Sequence, residues 1–361
     1  MPTVLWWGRF DPGYSRNRIL RKLLTDSGWR LLDFHPRFSV LGDWEARLRR
    51  LPRVDLVWVP CFRQRDMAAA HRWATRKGVS LIFDPLISAY DKQVDERGKV
   101  DADSSQAIRL LGWERRLFAR ADLVLADTAA HADYFSQMLD VPRDRLSVVY
   151  VGADADLFTP ASPPQTAGTS PTEVLFYGSF IPLQGPQTVV EAARLYQGPP
   201  LRWTLLGNGP LRPDCEAAAR CMENVHFEDW LPYDQLPDRI CRAHLLLGVF
   251  GTTPKASRVI PNKVYQALAC GRPVVTRRAT AYPEPLQASN VGGLVWVEPG
   301  NAQDLADKVA ELVRSPGELS CLGESAATTS QLYFSETAVL EQLRTALQRL
   351  IPYPESSWTR P

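Results

Sequence analysis

The stretch that decides the fold runs from residue 173 to residue 207 and reads EVLFYGSFIPLQGPQTVVEAARLYQGPPLRWTLLG. It begins and ends with apolar runs at 173–177 and 202–206, whose length and composition are typical of buried strands. Between them, residues 186–197 favour a helix with a proline in its first turn. A strand, a helix and a second strand in this order indicate a parallel sheet covered by helices.

The same alternation extends through the rest of the chain. A segment rich in Pro, Ser, Thr and Gly, residues 159–171, interrupts it and is the best candidate for a linker. Predicted strands lie at 4–7, 55–59, 80–83, 123–126 and 147–150, then at 173–177, 202–206, 225–227, 245–249, 273–276 and 293–296. Predicted helices lie at 15–27, 65–77, 104–120 and 129–139, then at 186–197, 212–221, 234–241, 261–270, 302–314 and 335–349.

The sequence therefore predicts an α/β protein of two Rossmann-like, doubly wound parallel-sheet domains that face an interdomain cleft. The first domain is expected at 1–160 and the second at 172–340, with the linker at 161–171. Residues 341–361 are expected to form a helix end and a tail that packs back on the first domain. Ligands of such sheets bind at the carboxyl ends of the strands.

Composition indicates a globular protein and the compartment in which it works. The 361 residues are 45% hydrophobic and 23% charged, which is ordinary for a folded chain. No apolar run approaches the ~18–20 residues that cross a bilayer, and the first residues predict a strand rather than a signal peptide. The six cysteines show no C-x-x-C spacing, so we expect reduced thiols, no metal site and a cytoplasmic location.

Positive charge is concentrated near the start of the chain. Residues 1–77 contain 16 Lys and Arg against 7 Asp and Glu. One interpretation is a pair of solvated helix faces; the other is attraction to a phosphate-bearing acceptor or to anionic lipid, which would place the protein peripherally on the inner face of the membrane. Nucleic acid is not an expected partner, because no known basic-aromatic module accompanies the charge. The clustered cations are Arg16, Arg18, Arg21, Lys22, Arg47, Arg49, Arg50 and Arg53.

Two glycine loops follow predicted strands of the second domain. Gly178 and Ser179 come directly after the strand at 173–177, and Gly207 and Asn208 come after the strand at 202–206. Glycine lets the backbone approach a ligand closely, and the helix that follows the first loop presents an N-terminus that favours an anion. A tight turn without a ligand would use the same residues.

A third element is the start of the helix predicted at 261–270. Pro261 suits its first turn, and Asn262, Lys263 and Arg258 lie near an N-terminus that already favours phosphate. The combined dipole and side-chain charge predicts a diphosphate site. The alternative for Lys263 is a solvated helix residue.

Motifs spread over residues 105–345 resemble, in order and spacing, those of the family-four glycosyltransferases of GT-B architecture. That resemblance implies retaining transfer of a sugar from a nucleoside diphosphate sugar to an acceptor hydroxyl, without a divalent metal or other cofactor. It implies synthesis of a glycan, a glycolipid or a glycosylated metabolite, with an acceptor that is a glycan, lipid-linked or a small molecule. The segments that resemble the family are 121–128, 149–160, 178–185, 207–210, 267–275, 283–284, 292–295 and 301–305.

The resemblance also assigns roles to the second domain, which would bind the nucleotide sugar. The 178–179 loop would line the diphosphate, the backbone at 230–231 would meet the base, and Gln266 would approach the ribose. Arg258 and Lys263 would belong to the catalytic set. The nucleotide-sugar site would comprise Gly178, Ser179, Gly207, Asn208, Trp230, Leu231, Pro261, Asn262 and Gln266.

The first domain would bind the acceptor. In the family, the loop after the first strand borders acceptor and diphosphate, which makes Gly13, Ser15 and Arg16 candidates. Many relatives place a catalytic-site histidine after the strand at 80–83, where this chain has none. Asp84 or Asp91 would instead polarise the acceptor hydroxyl; a turn or cap role is the alternative for Asp84, which precedes a proline.

The chain departs from the family at four positions. Ser179 and Gln184 replace the usual Arg and Lys of the first glycine loop, and Arg258 and Gln266 replace the usual Glu-x7-Glu pair. Cations at Lys255 and Arg258 would compensate by holding the diphosphate from the other side. The other interpretation is a lost donor site and a non-catalytic nucleotide-sugar-binding or scaffold protein. Because Arg pairs bidentately with carboxylates, Arg258 also suggests a carboxylated donor sugar.

Overall fold

The computed structural model describes residues 1–162, 164, 171–288 and 291–350. Contacts divide the chain into two compact units: the first holds Met1–Val151 and the segment from Val339 onward, and the second holds Gly152–Ala338. Most of the predicted linker at 161–171, and the tail from residue 351, lie outside the described residues.

The first unit is built on a six-stranded parallel sheet in the order β2-β1-β3-β4-β5-β6. Strand order reverses beside β1, so the carboxyl ends of β1 and β3 flank its switch point. The strands are β1 Thr3–Trp7, β2 Arg30–Phe34, β3 Leu56–Val59, β4 Ser80–Phe83, β5 Leu123–Ala126 and β6 Leu146–Val148. The helices are α1 Ser15–Asp26, α2 Gly42–Leu48, α3 Met67–Lys77, α4 Ser105–Phe118 and α5 Ala129–Met138.

The second unit has another six-stranded parallel sheet, in the order β12-β11-β10-β7-β8-β9. The chain runs outward from β7 to β9 and returns to β10, so the switch point lies between β7 and β10. The strands are β7 Thr172–Tyr177, β8 Leu201–Leu206, β9 Val225–Glu228, β10 Leu245–Leu247, β11 Val274–Arg277 and β12 Leu294–Val297. The helices are α6 Pro186–Leu195, α7 Arg212–Ala218, α8 Leu236–Arg242, α9 Asn262–Ala269, α10 Ala302–Arg314 and α11 Pro316–Thr329. Helix α12, Glu336–Gln348, begins at the end of this unit, and its residues from Val339 onward belong to the first unit.

The first sheet is covered on both faces by apolar helix residues. In the first unit, Val339 and Leu343 of α12 lie in the same buried cluster as Val4 and Trp6 of β1. The backbone N–H of Tyr150 donates to Gln342 Oε1 at 2.9 Å and fixes the register of this helix. No helix among the described residues has both the length and the apolar character that crossing a membrane requires.

Candidate functional site

The two glycine loops of the second unit are in close backbone contact at the carboxyl ends of β7 and β8. A Cβ on Gly207 would lie 2.1 Å from the carbonyl oxygen of Gly178, and one on Gly209 would lie 2.7 Å from the Phe180 nitrogen. All three glycines have φ between +127° and +155°, which side-chain-bearing residues rarely adopt. The sequence therefore uses glycine here because backbone meets backbone. Ser179 and the exposed Asn208 lie beside this junction.

Lys263 lies in the first turn of α9, with its ammonium group beside the end of β7. Its Nζ donates to the carbonyl oxygen of Gly248 at 3.0 Å and lies 3.7 Å from the centre of the Phe176 ring. A Cβ on Gly178 would be only 3.3 Å from the same nitrogen. The side chain is buried, and this burial lowers the pKa of Lys263 well below its ordinary value. Because a carbonyl and a ring do not neutralise a charge, an anion at this point would stabilise the ammonium form.

Gln266, one turn further along α9, is held by two tyrosines. The Tyr177 hydroxyl donates to Gln266 Oε1 at 2.7 Å, and Gln266 Nε2 donates to the Tyr233 hydroxyl at 3.4 Å. Burial raises the pKa of Tyr177 well above its ordinary value, so this tyrosine stays a neutral donor. The amide is thus fixed by the protein, and its assignment to a ribose stays a prediction.

The other predicted residues of this unit lie at the start of α9, in the turn before it and in the loop after β9. Pro261 is the N-cap of the helix and Asn262 is its first residue. Arg258 follows a short 3₁₀ turn, and its backbone N–H donates to Lys255 O at 2.9 Å. Trp230, whose side chain is 50% exposed, and the half-buried Leu231 follow β9.

Arg212 forms hydrogen bonds to two of these loops, and the sequence analysis did not identify it. Its Nη1 donates to Gly207 O at 2.7 Å and to Asp229 Oδ1 at 2.6 Å. It therefore joins the glycine turn after β8 to the residue immediately before Trp230. The position of Arg212 at the start of a predicted helix, directly after a glycine turn, is the signal that could have identified it.

In the first unit, the structure brings together an acceptor candidate and a catalytic candidate. Arg16 Nε lies 2.7 Å from Asp84 Oδ1, and both side chains are fully buried. Arg16 Nη1 also donates to Val149 O at 2.7 Å. Burial raises the pKa of Asp84, and the adjacent guanidinium opposes that shift. The carboxylate is thus bound to a cation, while its predicted role towards an acceptor hydroxyl stays a prediction.

A second buried pair lies beside this one and was missed by the sequence analysis. His131 Nδ1 lies 2.5 Å from Asp127 Oδ1, and the imidazole stacks on Phe135 at 5.7 Å. Burial raises the pKa of Tyr14, and the charge of Asp127 adds to that shift. These groups follow β1 and β5, so they share one edge of the sheet. An Asp and a His four residues apart at the start of a predicted helix are the pattern that could have revealed the pair.

The remaining candidates of the first unit lie in the loop before α1, at the start of α1 and in the segment after β4. Asp91 begins a π-helical turn, its backbone N–H donates to Ser88 Oγ at 3.1 Å, and its charge acts on the buried Glu114. Gly13 is exposed and its N–H donates to Asp11 Oδ1 at 2.8 Å, whereas Ser15 is buried at the start of α1. The charges that act on Asp84 are those of Arg16 and Asp127.

Both units match models of glycosyltransferase domains. Residues 171–315 match the family described as Glycosyl transferases group 1, and residues 11–152 match the Glycosyl transferase 4-like domain. The D-inositol 3-phosphate glycosyltransferase of Thermobispora bispora is 27% identical over 278 residues, covering 68% of this chain and 60% of that protein. Its namesake from Rhodococcus jostii is 27% identical over 285 residues, covering 72% and 58%. The match thus spans about three-fifths of these curated relatives.

Solved structures resemble the whole chain. The Anabaena protein HepE in complex with UDP aligns with a TM-score of 0.71 at 18% identity, covering 97% of this chain and 100% of that one. Sucrose-phosphate synthase from Thermosynechococcus elongatus aligns with a TM-score of 0.75 at 16% identity, covering 97% and 98%. The fold is therefore GT-B, and the prediction of two Rossmann-like domains is confirmed. Each half of the chain thus matches a glycosyltransferase domain, the 4-like domain in the first half and the group 1 domain in the second.

Proposed function

We propose that this protein transfers a sugar from a nucleoside diphosphate sugar to an acceptor hydroxyl with retention of configuration. In this reaction the bond between the anomeric carbon and the diphosphate oxygen breaks, and a bond from that carbon to the acceptor oxygen forms. The acceptor proton passes to the departing diphosphate or to solvent. Both domain matches support the proposal, and so does the structural likeness to HepE, which was solved in complex with UDP.

The observation that carries this proposal is the placement of Lys263. Its buried ammonium lies against Gly178, at the carboxyl end of β7, beside the switch point of a parallel sheet. This is the edge at which doubly wound sheets bind nucleotides. A diphosphate there would gain a charge-assisted hydrogen bond from Lys263 and the favourable N-terminal dipole of α9. The same two sources would stabilise the leaving diphosphate, so we propose that the reaction needs no divalent metal.

A second candidate is a nucleotide-sugar-binding protein without catalysis. It is favoured by Gln266, where the family resemblance leads us to expect a carboxylate. This amide is held between the hydroxyls of Tyr177 and Tyr233. A neutral, fixed amide binds hydroxyl groups but cannot stabilise the positive charge that develops on a sugar ring in glycosyl transfer.

The first experiment titrates the protein with UDP, GDP, ADP, CMP and dTDP by calorimetry and repeats the measurement with Lys263→Met. One diphosphate should bind the wild type, and the variant should bind it about 10- to 100-fold less tightly because a charge-assisted contact contributes about 1.5–3 kcal/mol. Lys308→Met is the matched control, since Lys308 is partly exposed and paired with Glu311 at 2.8 Å. Equal binding by wild type and Lys263→Met would remove the proposed diphosphate site.

The second experiment measures transfer of labelled sugar from the matching donor to glycan, lipid-linked and small-molecule acceptors, with and without EDTA. Retention predicts that donor and product share the same anomeric configuration in the proton NMR coupling. Activity that survives EDTA supports metal independence. Tight donor binding without transfer to any of these acceptors would favour the second candidate.

A further inference from the structure

Helix α2 of the first unit turns its apolar face outward. The side chains of Leu41, Trp44 and Leu48 are 54%, 62% and 82% exposed, and their spacing of three and four residues places them on one face. Phe38 and Val40, just before the helix, are each 68% exposed. Five large apolar side chains within eleven residues of sequence are thus exposed, which indicates an interaction surface. We refer to Trp44 and Leu48 together with Leu41, the N-cap of the helix, as the outer face of α2.

The opposite side of α2 is firmly attached to the protein. Asp43 is buried, and its two carboxylate oxygens lie 2.7 Å from Arg72 Nη2 and 2.6 Å from Arg76 Nη2, both on α3. Ala46 is fully buried in the core that contains Trp73. Asp43 and Ala46 therefore face inward, and the exposure of the outer face follows from this anchoring.

Two grooves lined by cations include residues of α2 or of the segment just before it. The larger has a volume of about 1230 Å³ and includes Phe38, Val40 and Leu41 from the exposed apolar side chains. The smaller, of about 430 Å³, contains Arg47, Arg50 and Lys77 together with Ala46 of α2, and also Arg76, which is paired with Asp43. Among the described residues that line the two grooves there is no Asp or Glu. Arg63 of the larger groove is neutralised by Asp66, 2.6 Å from its Nε. The other cations of the larger groove are Arg9, Arg37, Arg65, Arg116 and Arg120.

We infer that the outer face of α2 and its two cationic grooves form a docking surface for an anionic lipid bilayer. A short amphipathic helix with Trp and Leu on one face and basic residues around it lies in the plane of the interface, with its apolar side at the boundary of the acyl chains. Lipid phosphates would then meet the arginines of the grooves. A soluble phosphorylated ligand would use these arginines but would leave Trp44 and Leu48 exposed to water. The inference does not depend on the proposed glycosyl transfer.

The test is co-sedimentation of the full chain with vesicles of phosphatidylcholine alone and of phosphatidylcholine mixed with phosphatidylglycerol. The wild type should bind only the mixed vesicles, and binding should weaken as salt is raised. Trp44→Ser combined with Leu48→Ser should reduce binding more than about tenfold, because two large apolar side chains are lost from the contact. Leu332→Ser is the matched control, since Leu332 is 66% exposed and lies in the second unit.

A second pair of variants tests the charge. Arg37→Glu combined with Arg65→Glu should lower binding by at least about tenfold, since each cation near such a surface contributes about fivefold. Arg194→Glu, at a partly exposed site in the second unit, should leave binding unchanged. A wild type that ignores the mixed vesicles, or that binds neutral vesicles equally well, would overturn the inference.

Two further outcomes would also overturn it. Displacement from the vesicles by glycerol 1-phosphate at millimolar concentration would assign the grooves to a soluble phosphorylated ligand. A dimer that exists without vesicles and dissociates in the Trp44→Ser, Leu48→Ser variant would assign the outer face of α2 to a second copy of the chain. Loss of vesicle binding with nucleotide binding intact would show that the two proposals concern separate sites.

Discussion

Arg16 and Asp84 form a fully buried ion pair, 2.7 Å from Nε to Oδ1, across 68 residues of sequence. Arg16 follows the loop after β1, and Asp84 is the first residue after β4. Because the guanidinium also donates to Val149 O, one side chain joins three segments that end at the same edge of the sheet. The pair therefore fixes the geometry of the edge where we place the acceptor.

Removing one partner of this ion pair should destabilise the first unit. Asp84→Ala leaves the Arg16 guanidinium buried without its counter-charge, so we expect the free energy of unfolding of the first unit to fall by about 3–5 kcal/mol. Asp33→Ala is the control, because this pair is partly exposed, with 37% of the Asp33 side chain and 19% of the Arg21 side chain accessible to solvent. That change should cost no more than about 1 kcal/mol. Urea unfolding measures both, and similar losses in the two variants would contradict the assignment.

The close approach of Gly207 to Gly178 in the second unit predicts a large loss of stability when Gly207 is substituted. Gly207→Ala would place a methyl group 2.1 Å from the carbonyl oxygen of Gly178 at a φ of +127°. Since both obstacles are backbone, we expect the second unit to lose at least about 3 kcal/mol of stability and its affinity for the diphosphate. Gly317→Ala, in open space within α11, should be neutral or stabilise by up to about 1 kcal/mol. Equal melting temperatures for Gly207→Ala and Gly317→Ala would contradict this prediction.

Elements with buried, apolar sequences could be predicted, whereas exposed ones could not. The strands expected at 173–177 and 202–206 are confirmed as Thr172–Tyr177 and Leu201–Leu206. Strand β2, Arg30–Phe34, was missed because it lies at the sheet edge and exposes Arg30 and Asp33, which interrupts the apolar run. Helix α11, Pro316–Thr329, was missed because its small residues give little helical periodicity.

Tertiary packing explains the small residues of α11. A Cβ on Gly323 of α11 would lie 2.9 Å from the carbonyl oxygen of Gly271. Prediction of the candidate site is limited in the same way, because part of it depends on tertiary contacts. Lys263 could be proposed because a helix start is a local pattern, but the pairing of Arg16 with Asp84 depends on which strand ends are neighbours. That information is in the sheet order and not in any single segment.

The thiol chemistry of the second unit gives a pH-dependent prediction. The hydrogen bond from Cys270 lowers the pKa of Cys241, burial opposes this shift, and the Arg272 guanidinium favours the thiolate. Alkylation of Cys241 by iodoacetamide should therefore rise with pH around a midpoint below the ~8.5 of an ordinary thiol. Cys270→Ala should move the midpoint upward. Peptide mass spectrometry at a series of pH values measures it, and a wild-type midpoint at the ordinary value would contradict the prediction.

The buried Lys263 ammonium couples pH to both stability and binding. Its pKa is lowered in the folded state, so between that pKa and the ordinary value of about 10.4 the unfolded chain binds more protons. The stability of the second unit should therefore increase with pH through this window. Lys263→Met removes the effect, so the variant should be more stable than the wild type at low pH, with a gap that closes as pH rises. Lys308→Met should show no such gap.

A bound diphosphate should reverse the preference of Lys263. Its negative charge favours the ammonium form, so binding above the lowered pKa should be accompanied by uptake of a proton. Calorimetry in two buffers of different ionisation enthalpy measures that uptake, which should disappear in Lys263→Met and persist in Lys308→Met. Proton uptake that is identical in all three proteins would show that the diphosphate does not contact Lys263, even if it binds elsewhere in the second unit.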